Sequence, residues 1–183
     1  LDGEDSVEYS MGLFNYGSLK VLRGELAAGE ALYRQSWLIR KQKLGEDSPT
    51  SLRAESELAR LLMRDGRMGE AGVMLMHADK GLSQSLPADA PGRVQAHLNR
   101  IDWHVRSGQL AQARQLLEQM DSPVAEELQL RWLGIRADLA VRQGEGEQAL
   151  ALRRAAVEFA GSRQGKDSAA VVETSLALAE SLL

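Results

Sequence analysis

Apolar residues return every three to four positions over nine stretches of the chain, near 6–23, 26–43, 49–65, 68–85, 91–107, 110–120, 124–143, 146–162 and 168–183. That spacing gathers them on one side of a helix, so the pattern predicts nine helices. Two depths repeat within the stretches. Small residues hold one of them (Gly17, Ala59, Ala137 and Ala179; Ala71, Ala113 and Ala149) and let paired helices approach closely. Large ones such as Leu58, Leu62, Leu75, Leu117 and Leu133 hold the other and fill the space between pairs.

The breaks between stretches keep a beat. The turn strings RGEL, DGRM, SGQL and QGEG place Gly24, Gly66, Gly108 and Gly144 at steps of 42, 42 and 36 residues. Five positions after each stands a small residue: Gly29, Ala71, Ala113 and Ala149. Four further on come Tyr33, Leu75 and Leu117, with Arg153 breaking the series. A second string, DGEDS, returns as LGEDSP, LPADAP and QGKDS, so that Asp5, Asp47 and Asp89 also lie 42 apart. The remaining boundary is shortened to MDSP at 120–123. An Asp or Ser before an apolar-periodic run is a helix N-cap, and a glycine after it supplies the left-handed residue that closes the helix. Asp47 or Ser48, Asp89, Asp121 or Ser122, and Asp167 or Ser168 therefore open one helix per unit, and the glycine closes it. Each unit reads as a helix hairpin. One hairpin cannot bury its apolar face alone, so a stack is the stable form.

Composition agrees with helices. Leu and Ala are abundant, aromatic residues make up only 4% of the chain, and the four prolines fall between runs. At 183 residues and 44% hydrophobic, the chain supports a sizeable core. The net charge of −4 speaks against a nucleic-acid partner. The absence of cysteine rules out disulfides and thiolate metal sites. No apolar run is long enough to cross a membrane, and no signal peptide opens the sequence.

Repeat two carries the fullest signature: Leu58-Ala59, Leu62, Gly66, Ala71, Leu75 and Ala78. Repeat one offers Gly17, Gly24, Gly29, Tyr33 and Ser36, and repeat four Ala137, Gly144, Ala149 and Ala156. This pattern resembles the tetratricopeptide repeat (TPR), and its 42-residue step resembles the long variant of kinesin light chains and bacterial regulators. The resemblance implies an all-α, right-handed α-α superhelix of antiparallel hairpins, about four repeats plus a terminal helix, as one domain over 1–183. The repeats would span about 6–47, 48–89, 90–122 and 123–167, with a partial one over 168–183. Repeat three departs, with Ile101 at the small position and Met120 where Ala is expected. HEAT-like repeats, of similar period, are the alternative; the turn glycine plus Ala favours TPR. The opening at Leu1 and the incomplete last unit suggest a segment of a longer protein, and a last helix without its mate offers a surface for self-association.

Catalytic chemistry is not visible. His97 and His104, seven apart, could share a helix face, but with His77 they lack any metal-ligand spacing. The string from Gly161 to Lys166 superficially resembles a phosphate loop, but has three residues between its glycines and Asp167 where Ser or Thr is needed. Gly144-Glu145-Gly146 falls at a helix–helix turn rather than after a strand. No GxSxG is present. The expectation is a non-enzyme without cofactor or metal.

The TPR resemblance implies a concave groove lined by the first helix of each hairpin. The positions are Met11, Phe14, Ser18, Val21 and Leu22; Arg53, Ser56, Arg60, Met63 and Arg64; Gln95, Leu98, Asp102, Val105 and Arg106; and Arg131, Gly134, Asp138, Val141 and Arg142. Six arginines against two aspartates make this set net positive in a net negative chain. A peptide or protein partner with acidic residues follows as the expectation, contacting Phe14, Arg53, Arg60, Arg64, Asp102, Arg106, Arg131, Asp138 and Arg142. The Lys/Asn set of carboxylate-clamp TPRs is not found. Trp37, Trp103 and Trp132 read as packing residues. The alternative function is a regulatory or sensory segment of a larger bacterial signalling protein, and the location is cytoplasmic or, as a segment of an anchored protein, periplasmic.

Overall fold

In a computed structural model of the chain, residues 6–120, 125–164 and 168–180 are described. The expectations placed on Asp5, Asp121, Ser122, Lys166, Asp167 and Leu182 lie outside them. The described residues are helical: α1 (Val7–Leu22), α2 (Leu26–Leu44), α3 (Pro49–Arg64), α4 (Met68–Ser85), α5 (Pro91–Arg106), α6 (Leu110–Glu118), α7 (Gln129–Gln143), α8 (Gly146–Gln164) and α9 (Ala169–Glu180), with a 3-10 turn at Glu126–Leu128 before α7. Two compact units divide them, Leu1–Trp103 and His104–Leu183, called unit 1 and unit 2 below. Consecutive helices pack on each other, α1 on α2, α2 on α3 and α3 on α4 in unit 1, then α7 on α8 and α8 on α9 in unit 2.

One turn is used four times. Gly24, Gly66, Gly108 and Gly144 have φ of 80, 77, 76 and 77°, the left-handed region where a Cβ is penalised. The residue after each glycine reaches back to a carbonyl of the last helical turn: Glu25 to Lys20 (2.9 Å), Arg67 to Leu62 (3.0 Å), Gln109 to His104 (2.9 Å) and Glu145 to Ala140 (2.9 Å). This is the Schellman closure, and it satisfies carbonyls that would otherwise end the helix unpaired.

Three of the described helices, α1, α3 and α9, start on a serine cap. Ser6 Oγ accepts from Tyr9 N, Ser48 Oγ from Ser51 N with Pro49 as first helical residue, and Ser168 Oγ from Val171 N. Asp47 instead lies 3.4 Å from His77 Nε2. Asp89 is not at the cap position either: Ala90 precedes Pro91, and its carbonyl accepts from Arg93 N and Val94 N.

The small residues act as predicted except Ala179, which is exposed on α9, a helix with no buried residue. A methyl group on Gly17 would come within 2.8 Å of Tyr33 Cδ1, and one on Gly29 within 2.5 Å of Val21 Cγ2. Ala59, Ala71, Ala113, Ala137 and Ala149 are buried. Two glycines of α4 make room for side chains of neighbouring helices, Gly72 for Trp103 and Gly81 for Leu52. The unit 1 core centres on Leu58, Leu61, Leu62, Leu75 and Tyr33, with Trp37 and Trp103 packed against it. In unit 2 the core is smaller in side-chain size: Leu133, Ala137, Ala140, Ala149, Leu152 and Ala156.

Candidate functional site

Each hairpin has a first helix, helix A, and a second, helix B. The helix A positions assigned to a groove divide into three groups. Val21, Met63, Leu98 and Val105 are core residues, at most 7% exposed, and present no surface to a ligand. Their assignment is corrected accordingly: each is one helical step from the outward stripe, about 100° round the axis. Ser56 is also buried, held by Asn99 Nδ2 at 2.7 Å.

A second group is tied into a polar network in unit 1. Arg60 Nε donates to Glu57 Oε2 at 2.9 Å, and the other Glu57 oxygen accepts from Gln95 and from Asn99, both at 3.3 Å. The network joins α3 to α5 and brings Arg60, Ser56 and Gln95 together. Burial opposes the Arg60 charge, but the Glu57 carboxylate more than offsets it and raises its pKa; the Asp102 carboxylate adds to the effect. Unit 2 repeats the theme once, where Asp138 accepts from Arg153 at 3.0 Å. Arg131 is half-buried.

The third group is open. Arg53 and Arg64 on α3 are exposed and have no carboxylate partner among the described residues. Arg142 on α7 is in the same condition in unit 2. Arg106 is exposed, as are Met11, Leu22 and Val141. The Arg53 stem lies over Gly92, where a Cβ would come within 2.8 Å of Arg53 Cδ. Phe14 is half-buried and stacked on Tyr33, with centroids 4.6 Å apart, and Tyr33 Oη shares a hydrogen bond with Ser18 Oγ at 2.8 Å.

Two features escaped the sequence. Arg40, on α2, is buried beside Phe14, its guanidinium 5.3 Å from the ring centroid and its Nε bonded to Ser10 Oγ. In unit 2 an open groove of about 630 Å³ runs between α6, α7 and α8, on the side of α7 opposite to the one assigned. Trp132, Arg136, Leu139 and Gln143 line it at helical spacing, and Arg136 lies 4.3 Å over the Trp132 ring. Trp132 thus packs on the core with part of its ring facing open space.

The histidines belong to three separate pairs rather than one site. His77 Nδ1 lies 2.7 Å from Glu55, His97 Nδ1 2.9 Å from Asp79, and His104 Nδ1 2.9 Å from Gln109. Asp79 also accepts from Arg100 at 2.7 Å. Burial would raise the Asp79 pKa, but His97 and Arg100 hold it below the usual value. Burial raises that of Glu55 in spite of His77. No cluster of described residues has the donors for a metal ion, and no described helix is long and apolar enough to cross a membrane.

No family model matches the chain, and no curated protein matches it. Solved structures do. Nearly identical TPR-like repeats from a Podosopora anserina protein assigned as a kinesin light chain superpose with a TM-score of 0.66 at 18% identity, over 96% of this chain and 86% of that one. A single-substitution variant of the same repeats gives a TM-score of 0.67 at 18% identity, over 99% and 87%. The fold is that of TPR-like repeats. Seen this way, α1, α3, α5 and α7 are the A helices of successive TPR-like hairpins, and α2, α4, α6 and α8 the B helices. The open arginines Arg53, Arg64 and Arg142 all stand on A helices.

Proposed function

We propose that the protein is an interaction module whose TPR-like hairpins bind a peptide or protein partner carrying acidic residues, and that the A helices carry the contact. The observation behind this reading is that Arg53 and Arg64 have no carboxylate partner among the described residues. Elsewhere in unit 1, Arg34 on α2 and Arg67 at the turn before α4 are satisfied internally, sharing Glu30 and Glu70. On α3 two exposed guanidinium forks are left for a carboxylate from elsewhere. Arg60, Asp102 and Asp138 take a supporting place in this reading, since they have partners within the chain. Arg142 would serve unit 2 in the same way, and no catalytic step is assigned.

The test is selection from a random-peptide display library, on the parent and on a variant with Arg53→Glu, Arg64→Glu and Arg142→Glu, each first confirmed as folded by circular dichroism. The parent is expected to enrich peptides with Asp and Glu, with affinity falling as salt rises. The variant should lose them. Enrichment of the same peptides by both proteins refutes the assignment of the contact to the A helices, and salt-independent binding refutes the acidic character of the partner.

A further inference from the structure

One charged group inside unit 1 lacks a counter-charge among the described residues. Arg40 is only 8% exposed, yet no described Asp or Glu meets it. Arg34, Arg60, Arg67, Arg100, Arg114 and Arg153 all have a carboxylate. The charge that does act on Arg40 is another cation. Burial first, and then the Arg53 guanidinium, push its pKa below the usual value. A buried charge without a partner is unfavourable, and a like charge beside it adds to the cost. An anion between the two guanidinium groups would remove both costs.

The surroundings hold Arg40 ready for one. Its Nε donates to Ser10 Oγ at 3.1 Å, and Ser10 is itself fixed, its hydroxyl bonded to Val7 O at 2.6 Å and its carbonyl accepting from Ser36 Oγ at 2.7 Å. The Phe14 ring, stacked on Tyr33, is the platform beneath the guanidinium. With Nε engaged, the edge between the two terminal nitrogens remains. Its parallel N–H groups match the two oxygens of a planar carboxylate. The Arg53 stem, on α3, is settled over Gly92, and the Arg53 guanidinium is the charge that acts on Arg40.

We propose that Arg40 and Arg53 form a carboxylate clasp beside Phe14, filled by an Asp or Glu side chain of the bound peptide. This rests on the acidic-peptide reading given above and names the place in unit 1 where one carboxylate is received.

Fluorescence anisotropy of the full chain with labelled oligo-glutamate tests it, with oligo-glutamine as the neutral control. Arg40→Met keeps most of the stem and removes the charge. It should weaken oligo-glutamate binding about tenfold or more, the value of a lost charge-assisted hydrogen bond. Arg40→Lys should lose less, since it keeps the charge without the fork. Chemical denaturation of Arg40→Met should show stability held or raised, because a buried unpaired charge has gone; a residue with only a structural task would lose both stability and binding. Arg53→Met, at an exposed position, should weaken binding as well and serves if Arg40→Met does not fold. Unchanged affinity in folded Arg40→Met overturns the clasp while leaving acidic-peptide binding intact. If oligo-glutamate does not bind the parent, the acidic-peptide reading falls, and acetate decides on the clasp alone. Titrated into nitrogen-15-labelled parent, acetate must shift the Arg40 Nε resonance saturably and beyond chloride at equal ionic strength. No such shift overturns the proposal, and tighter binding of inorganic phosphate than of acetate overturns the carboxylate assignment.

Discussion

The helices α3 and α7 hold the same place in their hairpins, yet α3 buries ten of its sixteen residues and α7 five of its fifteen. Both end in the same glycine closure and both pack on their B helix through alanine. The difference lies in their neighbours. In unit 1, α3 is packed by α2 and α4, and side chains of α5 reach it. The Trp132, Arg136, Leu139 and Gln143 side of α7 lines an open groove. The repeat motif therefore determines how a hairpin closes, and the adjoining helices determine how much of it is buried. Burial on both sides also explains why α3 carries polar groups that need partners, such as Glu55 and Ser56, both buried.

Core truncation is the strongest way to break this comparison. Leu62→Ala, in the closed core of unit 1, should cost about 3 kcal/mol in chemical denaturation. Leu139→Ala, at the rim of the unit 2 groove, should cost roughly half as much, because the space it leaves is open to water. Equal losses would show that the groove is not open in solution. The turns should behave alike where the cores differ. Gly66→Ala and Gly144→Ala force a Cβ into the left-handed region and should each cost about 1 kcal/mol. A large disparity between the two would mean that the closures are not equivalent.

A smaller effect separates the units by pH. Burial would lower the His77 pKa, but Glu55 and Asp47 raise it above the ordinary 6.5. A raised histidine contributes stability that is fully present below pH 6.5 and is lost as the pH rises through the folded value. The melting temperature of the parent should therefore decline over that interval, and His77→Gln should remove the decline. A flat parent profile contradicts the pairing. The smallest effect belongs to the exposed ring of Glu30, Arg34, Arg67 and Glu70. Arg67→Ala should cost under about 1 kcal/mol and less in high salt.

The hairpins could be read from the chain because their signals are local. A glycine after an apolar run and a serine before one specify the ends of a helix with little help from outside, and Gly24, Gly66, Gly108 and Gly144 stand where their strings placed them. The facing of each A helix was less legible. Val21, Met63, Leu98 and Val105 fall between the inward and outward stripes, and only the neighbouring helices decide which side is covered. Arg40 gave no sign at all. It sits in the basic string Ile39-Arg40-Lys41-Gln42-Lys43, which reads as a solvated helix end, and its burial depends on Ser10 and Phe14 on another helix. The pairs Glu55–His77 and Asp79–His97 bridge different helices too, so no spacing within one helix announces them.

The glycine turns also decide how the chain can be cut. A protease needs a few residues of main chain that can leave the fold and lie extended in its cleft. Between paired helices there are none to spare, since each turn is bonded back into the helix it ends. Between hairpins there are: Gly45–Asp47 and Pro87–Asp89 are exposed and lie outside any helix. Limited digestion should release whole hairpins rather than single helices.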